Sequence, residues 1–248
     1  MTVTWDPKTV AGDFAGRMAL VFERDLHRAE AAELATSIGA ALAEEGPSSK
    51  TGRRLLRESG VRDTWNRVFA EQRSAAVAAA IRPHVRGRVV DLLAGDATVA
   101  AALRELGCRD ISCWERRGAY PEPPRLPVSP FEELLTVRPV ADTVLMVTVL
   151  HHEKSAPELL DQARELGARR WVVVENCVSE TVSDHLHEFA DIFFNTCLNE
   201  FDVDCTTEHR TLEAWCELLG GHGTVAHAGD LGRVPGMPFP YELIVVDL

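Results

Sequence analysis

RVVDLLAGDATVAAA, residues 88–102, decides how the rest of the chain is read. A β-branched pair, Val89 and Val90, leads into Asp91; a tight stretch around Gly95 follows, and good helix formers run on from Ala97. Strand, glycine turn and helix in that order open a nucleotide-binding β–α unit. The glycine lets a ligand come close to the backbone, and the helix start offers free N–H groups. Asp91, at the strand's end, stands where it can accept hydrogen bonds from the loop or from a ligand. After the helix, CRDISCWE (108–115) is a short apolar segment closed by an acid, Glu115, 24 residues beyond Asp91. A ribose-binding carboxylate belongs at about that distance, at the end of the second strand.

VVDLLAGDATVA (89–100), ISCWER (111–116) and ADTVLMVTVLHHE (141–153) together resemble the class I S-adenosylmethionine (SAM)-dependent methyltransferases, in their small-molecule, natural-product subgroup. The resemblance covers roughly 88–248. It implies a doubly wound α/β fold with a mostly parallel seven-stranded sheet, the last strand pair bringing in one antiparallel strand. It also implies SAM as cofactor, held by Asp91, Leu93, Ala94, Gly95, Ala97, Glu115, Arg116 and Leu150. The chain departs from the family at Leu93 and Ala97, where glycine is usual; of the usual three, Gly95 alone remains. Leu93 is expected to crowd the place where the cofactor's amino-acid portion normally meets bare backbone.

Composition agrees with one domain plus a small appendage, since 248 residues at 46% hydrophobic can bury a full core. With no apolar run of 18 residues and no signal-peptide pattern, a soluble, cytoplasmic protein without a membrane partner is expected. The net charge of −12 and the lack of a basic stripe argue against nucleic acid and for a small-molecule substrate. The expected assembly is a monomer or homodimer. The six cysteines form no C-x-x-C pair, and several sit in apolar stretches as small hydrophobes.

Residues 1–87 read as helical, an N-terminal lid and substrate wall ahead of the SAM-binding core, 88–248. Phe14, Met18, Val21, Phe22 and Leu26 recur at helical spacing, and 44–52 interrupts the pattern as an exposed connection. A further segment, 55–82, carries Trp65, Asn66, Arg67, Phe69 and Arg73. The resemblance implies that it closes over the cofactor, with an arginine free to clamp a carboxylate; a solvated amphipathic face is the alternative. From 88 onward strands and helices alternate: strands at 88–94, 110–115, 143–150, 171–175, 224–228 and 241–247, helices at 97–106, 131–137, 156–166, 180–199 and 211–219. The proline-rich stretch 120–130 leaves room for only a short third strand, at 125–128. This alternation is the doubly wound architecture.

In such a sheet ligands lie beyond the carboxyl ends of the strands, where strand order reverses. That puts 91–97 and the pair His151–His152 on two sides of one crevice. A neutral imidazole is a suitable general base near pH 7, so His151 and His152 are the catalytic candidates; holding the turn is their structural alternative. DHLHE (184–188) with Asp191 invites a metal reading, but His185 and His187, two apart, splay on a helix, and a solvated helix start accounts for the acids. No metal is expected. Asn195, Asn199 and His209 lie in a region that resembles a substrate-covering segment and are the candidate substrate contacts; packing by Phe193, Phe194 and Trp215, with Thr211 as an N-cap, is the alternative. The expected activity is methyl transfer from SAM to a small metabolite, in secondary metabolism. Two alternatives stay open: attack on SAM's aminocarboxypropyl arm releasing 5′-methylthioadenosine, by transfer or ring closure, and a non-catalytic methyltransferase-like domain.

Overall fold

The structure, a computed structural model, describes residues 6–116, 124–199, 208–232 and 234–248. Cys205 and the Tyr120–Pro123 end of the proline-rich stretch lie outside them.

Five helices come first: α1 (Pro7–Phe22), α2 (Arg28–Glu45), α3 (Lys50–Glu58), α4 (Val61–Arg67) and, after a π-helical stretch at Val68–Arg73, α5 (Ser74–Ile81). The interruption expected at 44–52 is shorter. Ser49 caps α3 by accepting from the Gly52 N–H at 2.9 Å, so Lys50, Thr51 and Gly52 form its first turn. Phe14, Met18, Ile38 and Leu42 pack in one apolar cluster with Phe189, Phe193 and Phe239 from far down the chain. By contrast α5 belongs to the sheet: Val77, Ala78 and Ile81 pack with Val89, Leu145 and Val172.

The α/β part runs β1 (Val89–Leu92), α6 (Thr98–Glu105), β2 (Ile111–Glu115), β3 (Val128–Pro130), α7 (Leu134–Val137), β4 (Thr143–Val147), α8 (Ala156–Glu165), β5 (Arg170–Glu175), β6 (Cys177–Val178), α9 (Asp184–Phe193), β7 (Arg210–Thr211), α10 (Leu212–Gly220), β8 (Thr224–Gly232) and β9 (Tyr241–Asp247). Seven strands make one sheet in the order β3-β2-β1-β4-β5-β9-β8, and β6 and β7 pair separately. The strands from β3 through β5 are parallel, while β9 runs antiparallel between β5 and β8. This is the doubly wound, mostly parallel seven-stranded sheet with an antiparallel strand in its last pair. Its middle strands read as unbroken apolar runs because both faces are covered: every residue of β1 and β5 is buried.

Several boundaries differ from expectation. The third strand is 128–130 rather than 125–128, because Pro124 and Pro127 cannot donate to a ladder; pairing with β2 starts at Cys113 opposite Val128. Strand β4 stops at Val147, since Thr148 turns at φ 53° and Leu150–His152 forms a 3-10 turn. The helix expected over 180–199 begins at Asp184, where Ser183 caps it, and ends in a π-helical turn at Phe194–Leu198. Thr211 caps α10 by accepting from the Ala214 N–H.

Candidate active site

Strand order reverses between β1 and β4, and their carboxyl ends open the crevice. On the β1 side, Asp91 is 3% exposed, and no hydrogen bond reaches its carboxyl among the described residues. Burial, and then the neighbouring Glu115 charge, push its pKa up to about 8. Glu115 closes β2 and folds back onto the loop: its carboxylate accepts from the Gly95 N–H and from its own neighbour, the Arg116 N–H, each at 2.8 Å. Burial raises Glu115 above the usual carboxylate range. Ala94 donates its N–H to the Trp114 carbonyl at 3.1 Å, so loop and second strand are tied twice.

The loop keeps its left-handed turns without the usual glycines. Leu93 takes φ 53°, Gly95 62° and Ala97 60°. Ala97 is buried against Ala100 and Cys113, and Leu93 is half-buried against the apolar cluster of β1 and β4. The Leu93 side chain thus packs on the core.

Arg116 leaves β2 and spans to the β4 side, paired with both carboxylate oxygens of Glu153 at 2.6 and 2.8 Å and lying over Phe131. Arg116, Phe131, His152, Glu153 and Leu159 line a cleft of about 500 Å³ at the ends of β2, β3 and β4. His152 faces this cleft, and burial, with His151 beside it, pulls its pKa down to about 4.

His151 is 1% exposed and lies behind His152, with ring centroids 4.0 Å apart. Its Nδ1 bonds Glu175, the last residue of β5. The other Glu175 oxygen accepts the Val149 and Leu150 N–H groups at 3.0 and 2.7 Å, which sets the turn that carries both histidines. Leu150 is fully buried, and it is this N–H that shapes the turn. Burial pulls the His151 pKa down, but Glu175 and Asp191 more than reverse it, and the net shift is upward.

Distant segments then converge. Glu208 donates its N–H to the His151 carbonyl at 2.8 Å, and β7 pairs with β6, so His209 is drawn against the end of β4. His209 is 7% exposed, and its Nε2 lies 2.9 Å from Asp191 Oδ2. Asp191, on α9, is held down to about 2: burial acts to raise it, and His151 and His209 outweigh that. His185 is half-buried on α9 beside Glu188, while His187 is buried with its Nε2 on the Cys177 carbonyl at 3.0 Å, so the two do splay apart. Asn195 and Asn199 are half-buried in and just past the π-helical turn that follows α9.

Arg73 lies on neither a solvated face nor an open clamp. It is 5% exposed, donating to the Tyr241 hydroxyl at 3.0 Å and to Thr148 Oγ1 at 3.1 Å. Nothing is described of the Asn66 and Phe69 side chains, and Arg67 is exposed.

Sequence reading missed Glu175 and the role of Asp191. A signal was present: an acid ending a run buried on both faces, RWVVVE, has to be paired.

No protein-family model and no curated protein matches the chain. Among solved structures it is similar to the mitomycin 7-O-methyltransferase MmcR, at 18% identity and TM-score 0.49, over 99% of this chain and 74% of that one. It is also similar to the magnesium protoporphyrin IX methyltransferase ChlM from Synechocystis PCC 6803 with bound SAM, at 13% identity and TM-score 0.45, over 100% and 99%. A third is TnmH, at 18% identity and TM-score 0.46, over 95% and 68%. All three are distant.

Proposed function

We propose that the chain is a SAM-dependent methyltransferase acting on a small metabolite, with a role in secondary metabolism. The observation that carries this reading is the convergence at the switch point. A glycine loop tied to the acid that ends β2 stands opposite a histidine pair at the end of β4. The residues fit the cofactor: Asp91 is a buried carboxyl without a hydrogen bond, at the place where the resemblance puts a SAM contact, and Glu115 keeps lone pairs beyond its two backbone bonds. Asp91, Ala94, Gly95, Glu115 and Arg116 would hold it, with Leu93 and Ala97 shaping the loop and Leu150 the facing turn. When bound, SAM supplies an electrophilic methyl group on a sulfonium.

The chain's own part is positioning and proton removal. His152 faces the cleft, and its depressed pKa keeps the ring neutral at pH 7, with a lone pair ready to take a proton from the acceptor. His151, held by Glu175, is a positioning residue that fixes His152 from behind. Helices α1–α4 and the turn after α9 form the wall that would meet the substrate; Trp65 stacks on Phe194 at 5.2 Å where the two meet. Asn195 in that turn, Asn199 just past it and His209 are the polar groups that would contact the acceptor. The activity belongs in a soluble, cytoplasmic monomer or homodimer; no helix among the described residues is long and apolar enough to cross a membrane.

The test is to incubate the protein with SAM, alone and with extract of the producing organism, and to identify the spent cofactor by mass spectrometry. S-adenosylhomocysteine, formed only with extract and lowered about 10²–10⁴-fold in His152→Ala, is expected. 5′-Methylthioadenosine formed without any acceptor would overturn methyl transfer in favour of ring closure.

A further inference from the structure

Behind the cleft, side chains from three separate stretches meet. His151 leaves β4, Asp191 stands on α9, and His209 precedes β7. Nε2 of His209 is 2.9 Å from Asp191 Oδ2, Nε2 of His151 is 3.6 Å from the same oxygen, and one donor atom from each of the three lies within 4.8 Å of the others. All three residues are more than nine-tenths buried, at 1%, 8% and 7% exposed. Even so, among the described residues neither Nε2 nor Asp191 Oδ2 makes a hydrogen bond; the contacts are close but badly aligned.

That misalignment is what a shared ion produces. Two ligand atoms held about 2.1 Å from one ion lie about 3.0 Å apart at a right angle and about 3.4 Å at the tetrahedral angle. An ion shared by the three would sit on each imidazole's lone-pair axis and leave the carboxylate oxygen about 45° off that axis at a right-angle arrangement, too oblique for a hydrogen bond. One far nitrogen is provided for: Nδ1 of His151 bonds Glu175, whereas Nδ1 of His209 makes no hydrogen bond among the described residues, with Asp184 Oδ1 3.7 Å away. A carboxylate behind an imidazole is the usual support for a metal-bound histidine, since it holds the proton on the outer nitrogen and turns the lone pair inward, and His151 has it. His187 stacks on His209 at 4.7 Å but spends its Nε2 on a backbone carbonyl, which leaves it outside the set.

We propose that His151, Asp191 and His209 form a mononuclear site for a divalent first-row transition ion of the Zn²⁺, Co²⁺, Mn²⁺ or Fe²⁺ kind. Two imidazoles and one carboxylate, without thiolate, suit those ions rather than Ca²⁺ or Mg²⁺. Three protein ligands leave positions for water or for an oxygen of the acceptor, whose proton the ion would acidify. That role, unlike binding itself, rests on the methyl-transfer reading above.

The experiment titrates CoCl₂ into the full-length, chelator-treated protein and follows visible d–d absorption. One equivalent, displaced by Zn²⁺ and without the near-ultraviolet band of a cobalt–thiolate bond, is expected. His209→Gln and Asp191→Asn should abolish the band, while His185→Ala, on α9 but outside the ligand set, should keep it. Circular dichroism and the thermal shift with S-adenosylhomocysteine, recorded on each variant, separate loss of the ion site from loss of the fold or of the cofactor site. No band in the wild type, or a band surviving in either folded ligand variant, overturns the proposal and leaves a buried His–Asp–His ion-pair network. Should both variants unfold, X-ray absorption of the zinc-loaded wild type decides, since imidazole scattering is expected and a sulfur shell overturns the site.

Discussion

Asp91→Asn removes one titration and leaves the shape of the side chain. The native carboxyl is 3% exposed, receives no hydrogen bond among the described residues, and has its pKa pushed up to about 8 by burial, with Glu115 adding to it. An unfolded aspartate titrates near 3.9. Below about pH 4 the group is protonated in both states and contributes nothing to pH dependence. Between about pH 4 and 8 the folded chain keeps a proton that the unfolded chain releases, so wild-type stability falls as pH rises, and above about 8 the whole cost is present. Each pH unit in that window is worth about 1.4 kcal/mol at most, or about 3 kcal/mol from pH 5 to 7. Asparagine does not titrate, so the stability difference should move by that amount in the variant's favour over the same interval. Urea unfolding at pH 5, 6 and 7, followed by the fluorescence of the five tryptophans, measures it. A difference that stays flat would mean that Asp91 is ionised in the folded chain, and the reasoning from burial would be wrong. Asp91→Ala, which removes the carboxyl altogether, should lose most of the melting-temperature rise caused by S-adenosylhomocysteine.

Four further substitutions, at three positions, test the loop and the buried arginine. Ala97 sits at φ 60°, where glycine is at ease, so Ala97→Gly trades relief of about 1 kcal/mol of strain against a lost methyl contact and a freer unfolded chain, ending within about 1 kcal/mol of wild type. Ala97→Val, β-branched in the same conformation, should cost about 2–3 kcal/mol by the same denaturation assay. Arg73→Met removes the donors to Tyr241 and Thr148 and should destabilise by about 2–4 kcal/mol. Arg67→Met, six residues earlier and exposed, should stay within about 0.5 kcal/mol.

The sheet was legible because its signals are local. Val89 to Leu92, Thr143 to Val147 and Trp171 to Glu175 are largely apolar runs, too short and too β-branched for buried helices. What was misread depends on single backbone groups. Pro124 and Pro127 deny the third strand its donors until Val128, and Thr148 ends β4 early by turning left-handed, a conformation that β-branched residues seldom adopt.

The site was legible only where one short segment carries it. Asp91, Gly95 and Glu115 come from one β–α–β unit, and spacing alone brings them together. The buried cluster around His151 takes Glu175 from β5, Asp191 from α9 and His209 from the approach to β7, and no spacing rule links those numbers. What links them is the small β6–β7 pairing, two residues on each strand, which a sequence pattern cannot show. The rule that does reach them is energetic: a carboxylate at 0% or 8% exposure has to find hydrogen-bond donors, a cation or a metal. Applied to RWVVVE, that rule asks what Glu175 holds, and the answer is two backbone N–H groups and the His151 ring. Applied to Asp191, it leads to two imidazoles that approach without bonding, and so to the ion that would join them.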